Sequence, residues 1–201
     1  MRYGMVIDLK RCVGCNACTL ACKQERGTPE GIHYARVVAH EVGTYPETRR
    51  PFLPVLCNHC QDPPCERVCP TGATFIRPDG IVKIDSNKCI GCRACAVACP
   101  YLNRHFVKPG MLNSGAESVS PYERVKNSEF EEGTMAKCDF CAHRLDQGLE
   151  PACVVTCPSE ARIFGDLDDE QGPLQQLIRE RDSWQLLPEA ETRPSVYYLD
   201  Q

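Results

Sequence analysis

Sixteen cysteines in a chain of 201 residues fall into four groups of four, with none left over. They are Cys12, Cys15, Cys18 and Cys22; Cys57, Cys60, Cys65 and Cys69; Cys89, Cys92, Cys95 and Cys99; and Cys138, Cys141, Cys153 and Cys157. The first and third groups share the spacing C-x2-C-x2-C-x3-C. The second reads C-x2-C-x4-C-x3-C and the fourth C-x2-C-x11-C-x3-C. Proline follows three of the four groups, at Pro70, Pro100 and Pro158.

Three chemistries compete for such thiols. Disulfide frameworks belong to small secreted domains and give no reason to repeat C-x2-C-x2-C. Structural zinc takes four thiolates in a tetrahedron, usually from two C-x2-C knuckles separated by a longer loop, a form that only the fourth group has. The run C-x2-C-x2-C-x3-C-P is the bacterial ferredoxin spacing, in which three thiolates hold one [4Fe–4S] cluster and the fourth reaches its neighbour. Soft thiolates suit that chemistry. Sixteen ligands taken four at a time predict four [4Fe–4S] clusters. Gly14 and Gly91 sit at one register inside the run, where the chain wraps a cluster and a positive φ is needed.

The elements that position these thiols come from an internal repeat. Residues 7–22, IDLKRCVGCNACTLAC, align without gaps on 84–99, IDSNKCIGCRACAVAC, and CPTGATFI (69–76) echoes CPSEARIF (157–164). The chain is a duplication of a two-motif unit. Between Cys69 and Cys89 lie 19 residues. They read as a strand Thr74–Arg77, a turn at Pro78-Asp79-Gly80 and a returning strand Ile81–Ile84. That hairpin pairs groups two and three, so groups one and four close as a second ferredoxin lobe from the two ends of the chain. Exchange of the fourth cysteine predicts four ligand sets: Cys12, Cys15, Cys18 with Cys157; Cys138, Cys141, Cys153 with Cys22; Cys57, Cys60, Cys65 with Cys99; and Cys89, Cys92, Cys95 with Cys69.

The expected fold class is α+β: two ferredoxin-like dicluster lobes, duplicated and nested, stabilised by their clusters. The outer lobe takes residues 1–56 and 101–166, the inner lobe 57–100, and a C-terminal helix and extended tail 167–201. Residues 23–56 read as irregular with some strand, and 101–137 as an exposed excursion. The helix is expected over Pro173–Arg181, with Leu174, Leu177 and Ile178 on one face.

The hydrophobic content of 42% counts the cysteines, so little apolar matter remains for a core, and metal binding becomes folding energy. Four oxidised clusters of about −2 each, added to the formal −4, bring the loaded chain to roughly −12. Cations directly precede three of the groups, at Arg11, Lys88 and Lys137, as candidate offsets. The negative charge, without a basic stripe, excludes nucleic acid as a partner. The acidic run 129–132 reads as a solvated loop. No apolar run is long enough for a bilayer. The start MRYGMVIDLK lacks a basic then apolar leader, so export would require either a signal removed beforehand or a partner that carries this chain with it.

No Gly-rich phosphate loop, GxSxG motif or carboxylate pair marks a substrate site, and the five histidines are scattered. His59 and His143 read as hydrogen-bonding or packing residues, not ligands. No catalytic residue is predicted: the chain reads as a non-catalytic, electron-carrying part of an oxidoreductase. The alternatives are a free polyferredoxin or hydrogenase-type carrier, and a structural zinc protein.

The stretches VIDLKRCVGCNACTLACK (6–23), LCNHCQDPPCERVCPTGA (56–73) and KCDFCAHRLDQGLEPACVVTCPSEARIFGDLDD (137–169) resemble the four-cluster iron–sulfur subunits of the DMSO reductase family of molybdenum and tungsten oxidoreductases. The resemblance covers nearly the whole chain. It implies docking on a large catalytic subunit with a bis-pterin-guanine-dinucleotide (bis-MGD molybdopterin) cofactor. Electrons would pass to or from a quinone-binding membrane subunit or a soluble cytochrome. It further implies that the Cys12 set faces the catalytic subunit and the Cys89 set is the distal one. Nitrate reductase relatives replace a cysteine of the third group, which is intact here, and formate dehydrogenase relatives add a C-terminal membrane helix. GMVIDL, HRLDQGLEPAC and CPSEARIFGDLDD look most similar to the respiratory arsenate reductase small subunit, with polysulfide, thiosulfate and tetrathionate reductase subunits close behind. The implied compartment is the periplasm, peripheral to the membrane, with the cytoplasm as the alternative.

Overall fold

A computed structural model describes residues 1–112 and 119–200, a mixed α/β protein with short elements. The strand Tyr3–Asp8 is buried along nearly its whole length because it is central in a sheet. On one side it pairs antiparallel with Arg162–Asp166, Met5 facing Phe164. On the other it pairs parallel with Val196–Leu199, and Ser183–Trp184 completes the four-stranded order. Burial on both faces explains why GMVI is a continuous apolar run and does not alternate. One face meets the helix Pro173–Glu180 through Val6, Leu167, Leu174 and Leu199. The other joins Met5, Ile7, Phe140, Phe164 and Tyr198 to Cys18, Cys22, Cys138 and Cys153.

A second strand pair lies after the second cysteine group: Thr74–Ile76 antiparallel to Val82–Ile84. Each strand is one residue shorter than the sequence suggests. The Arg77 N–H instead donates to the Ile81 carbonyl and closes the turn, with Gly80 at φ 81° and Asp79 Oδ1 accepting from the Ile81 N–H. The helices show a matched arrangement. Ala17–Arg26 packs on Ala152–Val155, and Pro64–Arg67 packs on Ala94–Ala98. Lys23 follows the first group where the other three have proline. Nothing there stops the helix, which runs on to Arg26 until Gly27, at φ 57°, caps it.

Four expectations need correction. Residues 23–56 are more regular than their composition suggests: Arg36–Ala39 pairs with Phe52–Val55, and Val42–Thr44 with Glu47–Arg49. Residues 101–137 are only partly exposed. Tyr101, Asn103, Arg104, Val107, Met135 and Lys137 are buried, the strands His105–Phe106 and Met135–Ala136 pair, and a capping box at Ser120 and Glu123 starts the helix Pro121–Asn127. The part of this excursion at 113–118 lies outside the described residues. The tail does not stay extended, since a 3-10 turn at Pro188–Ala190 precedes the strand Val196–Leu199. Its aromatics pack on the body: Tyr198 is fully buried, stacks on Trp184 and donates to the Pro54 carbonyl. The helix after Asp166 ends one residue early, at Glu180, because Arg181 turns out to pair with Asp8. Among the described residues no helix is long and apolar enough to cross a membrane.

Candidate metal centres

The backbone repeats itself where the thiols are delivered. Gly14 and Gly91 stand at φ 69° and 66°, and Asn16 and Arg93, two residues on, at 60° and 63°. Each left-handed pair turns the chain sharply between consecutive cysteines before a helix carries the third. A Cβ at Gly91 would lie 1.9 Å from the Gly133 carbonyl oxygen, and one at Gly14 would lie 2.4 Å from the Phe52 ring. The position therefore needs both the positive φ and the missing side chain.

None of the sixteen cysteines is in a disulfide. Cys12, Cys15, Cys18 and Cys157 line one small cavity. Cys69, Cys89, Cys92 and Cys95 line another. Burial pushes the Cys60 thiol up to about 12, and Cys57, Cys65 and Cys99 are its thiol neighbours. Burial likewise raises Cys22 strongly, with Cys153 and Cys141 near enough to add to it, and raises Cys138, where Cys22, Cys57 and Cys153 add to it. Cys69 and Cys157 go the other way. Burial opposes ionisation there too, but N–H donors outweigh it: Thr74 N to Cys69 Sγ at 3.4 Å and Ala161 N to Cys157 Sγ at 3.3 Å, helped by the Thr71 and Ser159 hydroxyls. Sulfurs that must be thiolates to ligate, yet sit where burial favours the thiol, are stabilised when a cationic metal core replaces their protons.

The three cations that precede cysteine groups have different fates. Arg11 and Lys88 are exposed and pair with Asp8 and Asp85. Only Lys137 is buried, its Nζ held by the Val82 and Cys138 carbonyls. Two buried guanidinium groups were not singled out by the cysteine spacing. Arg104 Nη2 donates to Cys65 Sγ at 2.7 Å and its Nη1 to Thr74 Oγ1 at 2.9 Å. Arg162 Nη1 lies 3.8 Å from Cys153 Sγ. Burial works against both charges, yet the thiols beside them keep both pKa values above the usual range. A signal for them exists: both stand five residues after a group's last cysteine, in CPYLNR and CPSEAR. His59 is buried, accepts from the Val82 N–H at 3.1 Å and stacks on Phe140 at 3.8 Å. His143 bridges Arg26 and Glu25. Both are packing and hydrogen-bonding residues. In the acidic run, Glu129 pairs with Lys126, and Glu132 accepts from the Gly110 and Leu112 N–H groups, so it braces a loop.

Cavities walled by four thiols, N–H donors on sulfur and buried cations at hand are what a polyanionic iron–sulfur core requires. These features define an iron–sulfur electron-transfer protein. Residues 48–111 and 109–167 match the 4Fe-4S dicluster domain, and residues 9–28 match a 4Fe-4S binding domain, so the matches take in all four cysteine groups. The chain is 44% identical to the arsenate respiratory reductase iron–sulfur subunit of Shewanella sp. (strain ANA-3), over 99% of this chain and 96% of that protein. It is 42% identical to a selenate reductase subunit of Mesobacillus selenatarsenatis (99% and 72% covered) and 41% identical to a tetrathionate reductase subunit of Salmonella typhimurium (98% and 72%). The chain belongs to the family of iron–sulfur electron-transfer subunits of molybdoenzyme reductases, and its cofactors are four [4Fe–4S] clusters.

Proposed function

We propose that the four clusters are held by Cys12, Cys15, Cys18 and Cys157; by Cys138, Cys141, Cys153 and Cys22; by Cys57, Cys60, Cys65 and Cys99; and by Cys89, Cys92, Cys95 and Cys69. The observation that carries this is the cavity in which Cys157 joins Cys12, Cys15 and Cys18 from the other end of the chain, matched by the cavity in which Cys69 joins Cys89, Cys92 and Cys95. The same exchange supports a nested pair of ferredoxin-like lobes, an outer one from 1–56 and 101–166 and an inner one from 57–100, with 167–201 as an extension. The pairing of Tyr3–Asp8 with Arg162–Asp166 corresponds to the hairpin pair Thr74–Ile76 and Val82–Ile84. When bound, each cluster takes up and releases one electron at a time.

The chain's own residues supply the ends of the relay. Cys15 and Cys92 are exposed thiols of equivalent motifs. Val13 and Leu20 are exposed in the first motif, and Ile90 and Val97, the latter 89% exposed, in the second. Apolar rims at two cluster edges suit docking partners that exclude water from the transfer path. In this reading the Cys15 face meets a large bis-MGD catalytic subunit that reduces arsenate or a sulfur oxyanion. The Cys92 face meets a quinone-linked membrane subunit or a soluble cytochrome, and the assembly works in the periplasm, exported with the catalytic subunit.

Purification of the intact complex tests this. Iron and acid-labile sulfide near sixteen of each per chain are expected. Cys157→Ser should perturb the cluster of Cys12 and leave that of Cys138 intact by EPR, and the reverse outcome would sink the exchange. Substituting Val13 and Leu20 with Glu should release the catalytic subunit, whereas Ile90 and Val97 with Glu should not.

A further inference from the structure

Four clusters in one small body repel one another, and each added electron raises that repulsion in a low-dielectric interior. The buried cations are distributed along the ligand sets in a regular way. Arg162 lies beside both Cys153 and Cys18, which belong to different sets. Arg104 lies beside both Cys65 and Cys95, again from different sets. In the two repeats Cys153 corresponds to Cys65 and Cys18 to Cys95, so the two guanidinium groups occupy one place in two copies of the unit. They arrive there by different routes. Arg162 follows the fourth cysteine group; the matching residue after the second group is Thr74, and Arg104, from the third group, donates to its hydroxyl. Where one copy lacks the arginine, the other half of that copy brings one in. The remaining junction is the one between the Cys138 and Cys57 sets, and there Lys137 is buried with its Nζ held by the Val82 and Cys138 carbonyls, its charge acting on Cys138 and Cys65.

We infer that Arg162, Lys137 and Arg104 are three buried cation bridges, one between each consecutive pair of clusters, and that each holds up the reduction potential of the two clusters it separates. The inference rests on the ligand sets proposed above. A purely structural arginine satisfies its buried donors. Arg162 Nη2 has no partner among the described residues, although the side chain is buried against sulfur. Charge placed between two anionic centres stabilises whichever of them carries the extra electron. The pairwise repulsion between the two centres is unchanged, but the attraction to the cation offsets it, since the energies add. Electrons can then occupy neighbouring clusters at a higher potential than the bare row would allow.

Redox titration of the intact complex, followed by EPR, tests this with Arg162→Gln, Lys137→Met and Arg104→Gln. Signals are assigned through those altered in Cys15→Ser and Cys92→Ser. At fixed potential each variant is expected to lower the reduced-to-oxidised ratio of its two flanking clusters by about tenfold, about 59 mV for a one-electron couple, while the distant clusters hold their values. Arg162→Gln should move the Cys12 and Cys138 sets, Lys137→Met the Cys138 and Cys57 sets, and Arg104→Gln the Cys57 and Cys89 sets. Loaded variants with unshifted potentials, or with all four shifted alike, would overturn the bridges. If a neutral variant loses clusters, Arg162→Lys and Arg104→Lys decide. Wild-type potentials there support the charge, and potentials that fall overturn it. Failure of the ligand sets shows separately, as Cys157→Ser altering a signal other than that altered by Cys15→Ser, or Cys69→Ser a signal other than that altered by Cys92→Ser.

Discussion

The protein around Tyr3–Asp8 and the hairpin between Thr74 and Ile84 hold equivalent cysteine motifs with unequal amounts of structure. In the first, the strand pair is widened to four strands, a two-turn helix covers one face, and Met5, Ile7, Phe164 and Tyr198 fill the other. In the second, two strands of three residues meet short helices, and the local apolar cluster is Val82 and Met135 with Cys65 and Cys95. An isolated two-stranded hairpin is marginal in water. One copy of the motif therefore has an apolar core of its own, while the other is held mainly by what its cysteines bind. A cluster can thus substitute for a core, and the added strands and helix fall on the strand pair Tyr3–Asp8 with Arg162–Asp166.

Removal of iron probes that contrast most strongly. Chelation should strip hydrogen-exchange protection from the Val82 and Lys83 amides first, with Met5–Ile7 protected longer; equal loss at both would refute the contrast. Next comes Leu174→Ala, which hollows the helix–sheet contact of the better-built copy. It should cost about 2–5 kcal/mol in thermal or denaturant unfolding, without changing the cluster absorbance of the folded protein. Alanine at either equivalent glycine carries about 1–2 kcal/mol of left-handed strain. Gly91→Ala should be the worse of the two, because its Cβ meets backbone whereas that of Gly14→Ala meets the Phe52 ring, which can move. Iron retention and melting temperature measure the difference.

Asp8 extends the contrast to pH. Its counterpart Asp85 caps a short turn at the surface, while Asp8 is buried and paired with Arg181. Burial favours the neutral carboxyl, but Arg181 and the N–H groups of Arg11 and Lys10 outweigh it, so the pKa lies below 3.8. A depressed folded pKa means the stabilisation is present above 3.8 and disappears as pH falls through the folded value. Asp8→Asn should thus be less stable than wild type above that range, with the gap closing below it in denaturant titrations at several pH values. The smallest effect is expected from Thr74→Val, which removes one acceptor from Arg104 and should cost about 0.5–1.5 kcal/mol in the same assay.

Much of this molecule was legible in its cysteines. Their spacing identified the chemistry, and the gapless match of 7–22 with 84–99 anticipated the two left-handed turns at Gly14 and Gly91. The hairpin was read to within a residue at each strand because Pro78-Asp79-Gly80 is a local turn signal. The rest was hidden for physical reasons. The strand pair at 36–55 owes its order to packing of Val37 and Leu53 on the core, not to a local pattern. Burial of Arg104 was obscured by the polar residues of 101–137, whose buried members are recognised only by their partners.

The types and spacings of the cysteines, the repeat and the glycines at its turns are local properties, and they suffice to name a four-cluster iron–sulfur chain. Which cation lies between which thiols is not local. Arg11 and Lys88 adjoin cysteines in sequence yet face solvent, while Arg104 and Arg162, five residues beyond a cysteine, are folded into the interior. The same is true of the tail, whose Val196–Leu199 becomes the parallel neighbour of Tyr3–Asp8 only after the chain has closed. Charge acts through space and burial, and both are set by contacts between residues far apart in the chain.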